Sequence, residues 1–127
     1  NTVVRKVLAI LEGHPLVSDV KIIRLDETPT GHLECKVRCR ITGGQQFQVW
    51  LHQSAHTTDY AYQLFSSVPL LRWDNAPHYP GIETSPHHFH DEQNNVGSSP
   101  LTGQPSVDLP IVLEVISQRL GNPNTVL

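Results

Sequence analysis

Leu33-Glu34-Cys35-Lys36-Val37-Arg38-Cys39-Arg40-Ile41-Thr42 is the most regular segment of the chain. Leu33, Cys35, Val37, Cys39 and Ile41 alternate with Glu34, Lys36, Arg38, Arg40 and Thr42 without exception. Successive side chains of a strand point to opposite faces, so this run predicts a strand with one face on a core and the other charged. A slip of one residue would send every apolar side chain to water, so its register is strongly specified. Gly43-Gly44 predicts a tight hairpin turn. Gln46 to His52 then returns with Phe47, Val49 and Leu51 inward, and with Trp50 and His52 on the basic face.

On either side of this hairpin the pattern continues. Val20 to Leu25 is a β-rich first strand, and Leu70 to Asp74, after Pro69, is a later one. Tyr60 to Phe65 fits either a strand or a short helix. Val3, Val4, Val7, Leu8 and Leu11 recur at helical spacing, with Thr2 as cap and Gly13 at the exit. A last helix is expected from near Asp108, with Pro110 in its first turn and Gly121 at its end. Leu109, Val112, Leu113, Ile116 and Leu120 form its apolar stripe. Residues 91–105 are expected to be a mobile loop, rich in Gly, Ser, Pro and Thr from Gly97 onward. The expected fold is α+β, a single domain over 1–127. In it an antiparallel meandering sheet of four to six strands packs with an N-terminal and a C-terminal helix.

Cys35 and Cys39 stand four apart on the predicted strand, roughly 13 Å between Cα atoms, too far for a disulfide. Two core thiols in a reducing, cytoplasmic compartment are expected. Nothing reaches the length of a membrane span, and Thr2 to Leu11 is too short and too charged for a signal peptide. The chain of 127 residues lacks methionine, so at least the first residue is expected to have been trimmed or left out. A formal charge of −3 gives no global nucleic-acid footprint. Any RNA contact must come from a local patch, and Lys36, Arg38 and Arg40 on the charged face are the candidates; by default they are a solvated strand face.

The chemistry is concentrated elsewhere. Four of the eight histidines fall between His78 and His90, within Arg72-Trp73-Asp74-Asn75-Ala76-Pro77-His78-Tyr79-Pro80, Gly81 and Ile82-Glu83-Thr84-Ser85-Pro86-His87-His88-Phe89-His90. Prolines stiffen this loop beyond what a connector needs. Histidine moves protons near neutral pH, arginine clamps phosphate, and Asp74 shares a strand face with Arg72 and would orient either partner. Arg72, Asp74, His78, His88 and His90 are the candidate catalytic set, with Asn75 and His87 beside it as substrate contacts; His87, after Pro86, is the weakest of the histidines. Trp73 alternates to the core. His14, His32 and His56 read as turn or surface residues.

These segments, followed by a polar loop and a short C-terminal helix, resemble the TumE family. Its members are small bacterial and archaeal proteins proposed as toxins, each paired with a helix-turn-helix antitoxin called TumA. The order of elements agrees along the whole chain, the 72–90 segment is the distinctive part, and Asp91 to Gln104 is longer than the family pattern. The resemblance implies a toxin acting on RNA with such an antitoxin as partner; a homodimer stays open.

The residues admit three readings. The first is a metal-independent endoribonuclease without cofactor, in which His78 and one of His88 or His90 exchange the proton, Arg72 holds the phosphate and Asp74 sets a tautomer. The second is a metal-binding protein or metal-dependent hydrolase, with zinc or nickel on Asp74, His78, His88 and His90. The third is a non-catalytic module that binds a partner through the sheet face around Trp50.

Overall fold

The computed structural model describes residues 1–121; residues 122–127 of the expected domain lie outside the described residues. Helix α1 (Thr2–Glu12) leads into seven strands, β1 (Val17–Glu27), β2 (Leu33–Ile41), β3 (Gln46–Gln53), β4 (Thr58–Phe65), β5 (Pro69–Asp74), β6 (His88–His90) and β7 (Val96–Ser98). Helix α2 (Pro105–Gly121) follows. The strands form one antiparallel sheet in sequence order, so the α+β meander is as expected, with seven strands rather than four to six. The additional pairings are short: β6 and β7 have three residues each, too brief to leave a period in the sequence.

The alternation of β2 works as predicted. Leu33, Cys35, Val37, Cys39 and Ile41 are all buried, and they meet Phe47, Val49 and Leu51 across the register. Both cysteines are free thiols in this core. Gly43 and Gly44 turn the hairpin at φ of 105° and 101°, a region that side chains with a Cβ avoid. Tyr60 to Phe65 is strand, placing Tyr60, Tyr62 and Leu64 inward. Val4, Val7 and Leu11 of α1 and Leu109, Val112, Leu113 and Ile116 of α2 complete the same apolar cluster.

Both helix starts differ from expectation. Asn1, not Thr2, caps α1: its Oδ1 accepts from the backbone N–H groups of Val3 (2.8 Å) and Val4 (3.4 Å). Helix α2 begins at Pro105, where the missing N–H costs no hydrogen bond, so Pro110 lies inside the helix. Asp108 is fully buried and accepts from Thr102 N and Oγ1 (each 2.9 Å) and Gly103 N (2.8 Å), fastening the entering chain. The passage 91–105 carries β7 and buries Ser99 and Leu101. No helix among the described residues is long and apolar enough to cross a membrane.

Away from the helices the sheet has an open face. Pairing lines up one row as Lys36, Trp50, Ala61, Asp74, His88 and Ser98. The next row is Arg38, Gln48, Gln63, Arg72, His90 and Val96.

Candidate functional site

The pairing of β5 with β6 builds the site. Asp74 stands opposite His88, and Arg72 opposite His90, so residues separated by a long loop share one face. Asp74 is the hub. Its Oδ1 accepts from Ala76 N at 3.0 Å and lies 3.0 Å from His88 Nε2. Its Oδ2 accepts from Arg72 Nε at 2.7 Å and lies 3.8 Å from His90 Nε2, which is electrostatic range rather than a hydrogen bond. Arg72 also reaches Gln63 Oε1 at 3.5 Å.

Exposure divides the set in two. The side chains of Asp74 and His88 are 7% and 2% exposed, those of His90 and Arg72 19% and 42%. Arg72 and His90 thus reach the surface, and Asp74, with His88 against it, lies beneath them. His88 Nδ1 lies 3.0 Å from the Pro86 carbonyl oxygen, which only accepts, so Nδ1 carries a proton. Nε2 then faces a carboxylate oxygen, and the contact needs one further proton, on Nε2 or on Asp74. The residues Asn75 to His87 fold back as successive turns, closed by Ile82 N to Tyr79 O (3.2 Å), Ser85 N to Ile82 O (3.0 Å) and His87 N to Thr84 O (2.9 Å). This brings the Tyr79 ring to 4.7 Å from His88 and 5.9 Å from His90.

Asp74, His88 and His90 each offer a ligand atom within 4.8 Å of the other two, and His78 is not in that group. These are donor types that zinc or nickel accepts. The Pro86 carbonyl on His88 Nδ1 is the outer support that metal-bound imidazoles commonly have. Against this stands the Arg72 guanidinium on the same carboxylate, a positive charge beside any added cation.

The remaining candidates fall in three places. His78 is exposed on the loop, one residue before Tyr79. Lys36, Arg38 and Arg40 lie on the open face with Arg72, as their strand parity requires. Arg38 donates to Gln48 Oε1 at 2.8 and 3.2 Å, and Arg40 pairs with Asp19 at 3.3 Å. Asn75 and His87 are committed elsewhere. Asn75 accepts from Tyr60 N (3.0 Å) and donates to the Thr58 carbonyl (2.8 Å), closing the end of β4. His87 Nδ1 meets the Tyr60 hydroxyl at 2.8 Å while its ring stacks on Tyr60. Burial, with the charges of Asp108 and then Asp74, holds that phenol in its neutral form by raising its pKa.

Tyr79 and Gln63 escaped the sequence reading. Tyr79 had a signal, an aromatic residue inside the histidine loop; Gln63 had none, because its role depends on the β4–β5 register. Arg72 separates two hollows. One, of about 300 Å³, is bounded by Gln63, Pro69, His90, Asp91 and Asn94; the other, of about 280 Å³, by Trp50, Asp59, Ala61, Asp74 and Asn75.

In comparison with known proteins, the profile of a protein family described as Toxin TumE matches residues 6–120. No curated protein and no solved structure matches the chain.

Proposed function

Since the chain belongs to the TumE toxin family, we propose that it is the toxin of a toxin–antitoxin pair and cleaves RNA without a metal. A helix-turn-helix protein is its proposed antitoxin. One observation supports the chemistry: Arg72 and His90, side by side on β5 and β6, open onto a common hollow while buried Asp74 contacts both.

RNA brings its own nucleophile, so the protein must supply a base, an acid and a cation. His90 is the base in this scheme. Asp74 Oδ2 favours a proton on its Nε2, which leaves Nδ1 to take the proton of the 2′-hydroxyl. The 2′-oxygen bonds to phosphorus, and Arg72 neutralises the charge that develops on the phosphate oxygens. The 5′-oxygen leaves with a proton from His78, giving a 2′,3′-cyclic phosphate and a 5′-hydroxyl. His88 is too deeply buried to meet substrate, so we assign it to positioning Asp74.

The second reading, a metal-dependent hydrolase holding zinc or nickel on Asp74, His88 and His90, has the convergence of those three ligand atoms in its favour. Incubation of purified protein with RNA, with and without chelator, separates the two. Chelator-resistant cleavage that ends in cyclic phosphate is expected. Stoichiometric metal, with cleavage and stability lost on chelation, would establish the hydrolase instead.

A further inference from the structure

We propose that the hollow between Trp50 and Arg72 is a nucleobase-stacking subsite, and that the substrate is therefore unpaired RNA. This deepens the ribonuclease reading and rests on it. Trp50 and Asp74 occupy the same cross-strand row, separated by Ala61 alone. With strands roughly 4.8 Å apart, that places about 10 Å between the two backbones. A methyl group leaves most of the gap empty, which is why a hollow of about 280 Å³ opens there. Its walls suit a base: the half-buried Trp50 indole on one side, and the Arg72 guanidinium on the other.

The indole is held in place. The His52 ring lies parallel to it, at 9° between planes and 6.2 Å between centroids, and His52 itself pairs with Asp59 at 3.5 Å. Beyond Trp50 in the same row comes Lys36, which has no ion pair among the described residues. Arg38 continues the positive charge along β2, and Arg40 beyond it is paired with Asp19. A strand whose reacting phosphate sits on Arg72 would thus place one flanking base over Ala61 and run its backbone toward Lys36. A base paired in a duplex cannot enter a slot one small residue wide, whereas stacking on an aromatic platform accepts any unpaired base.

The test measures binding of a non-cleavable 2′-O-methyl oligonucleotide, single-stranded and as a preformed duplex, at one fixed salt concentration. The single strand is expected to bind at least tenfold more tightly than the duplex and to quench Trp50 fluorescence; Trp73 is buried. Trp50→Ala is expected to weaken the single strand about tenfold or more, and Trp50→Phe to retain most affinity. Ala61→Leu fills the hollow without removing a charge and is expected to weaken binding similarly. It guards against misfolding of the tryptophan variants. Native affinity in folded Trp50→Ala and Ala61→Leu, or equal affinity for duplex, overturns the proposal. So would Trp50 or Ala61 variants that lose the antitoxin but not RNA, which would make this a protein-docking face. RNA cleavage with Trp50-independent binding sinks the subsite and leaves the ribonuclease standing; Trp50-dependent binding without cleavage does the reverse.

Discussion

Asp74 Oδ1 lies 3.0 Å from His88 Nε2 across a register pair in which both side chains are buried. Both are shielded from water, so removing Asp74 leaves His88 Nε2 buried without its partner and takes away the acceptor of Arg72 Nε and Ala76 N. Asp74→Ala is expected to cost about 3 kcal/mol of stability in urea unfolding, as breaking a buried pair does. Asp59→Ala, which removes an exposed carboxylate from the same face, is expected to stay within about 0.5 kcal/mol. Equal effects of the two would mean that Asp74 is not the hub.

His90 separates activity from stability. Its side chain is partly exposed and only loosely tied to Asp74, so His90→Ala is expected to abolish RNA cleavage and toxicity while costing less than about 1 kcal/mol. His78→Ala is expected to slow cleavage with the melting temperature unchanged, and exposed His56→Ala to change neither. Full toxicity of His90→Ala would remove it from the mechanism.

The open face predicts a salt signature. Lys36→Ala and Arg38→Ala are each expected to weaken RNA binding for all sequences alike. Each should also lower the slope of log K against log salt by roughly 0.7 for a single strand. Cleavage at saturating RNA should be unaltered. An unchanged slope would show that these cations do not meet phosphate.

Burial pushes the Cys39 thiol from its ordinary 9.0 up to about 11, and raises Cys35 in the same direction. The folded chain therefore keeps a neutral thiol where the unfolded chain ionises. That stabilising difference is whole below pH 9.0 and disappears as pH climbs toward about 11. A thiol-specific chromogenic reagent at neutral pH is expected to label neither cysteine in the native protein and both after unfolding. Rapid labelling of the native protein would contradict the core placement.

Local periodicity carried the properties that were legible in the amino-acid order. The alternation from Leu33 to Thr42 settles which residues of β2 meet the core and which form a basic face, because the period of two tolerates no slip. The same logic puts Arg72 and Asp74 together on β5, and the apolar spacing of α1 and α2 covers the core. Which histidines join them depends on long-range strand pairing. The three-residue β6 pairs across a long proline-bearing loop, so His88 and His90 arrive beside Asp74 and Arg72 through register rather than through spacing. The fold also buried His88, left His78 at the surface and drew Asn75 and His87 into the end of β4. Tyr79 reached the histidine rings only through the turns of that loop. Periodicity records how a residue relates to its sequence neighbours; long-range pairing, which depends on the whole sheet and what packs on it, leaves no such record in a three-residue strand.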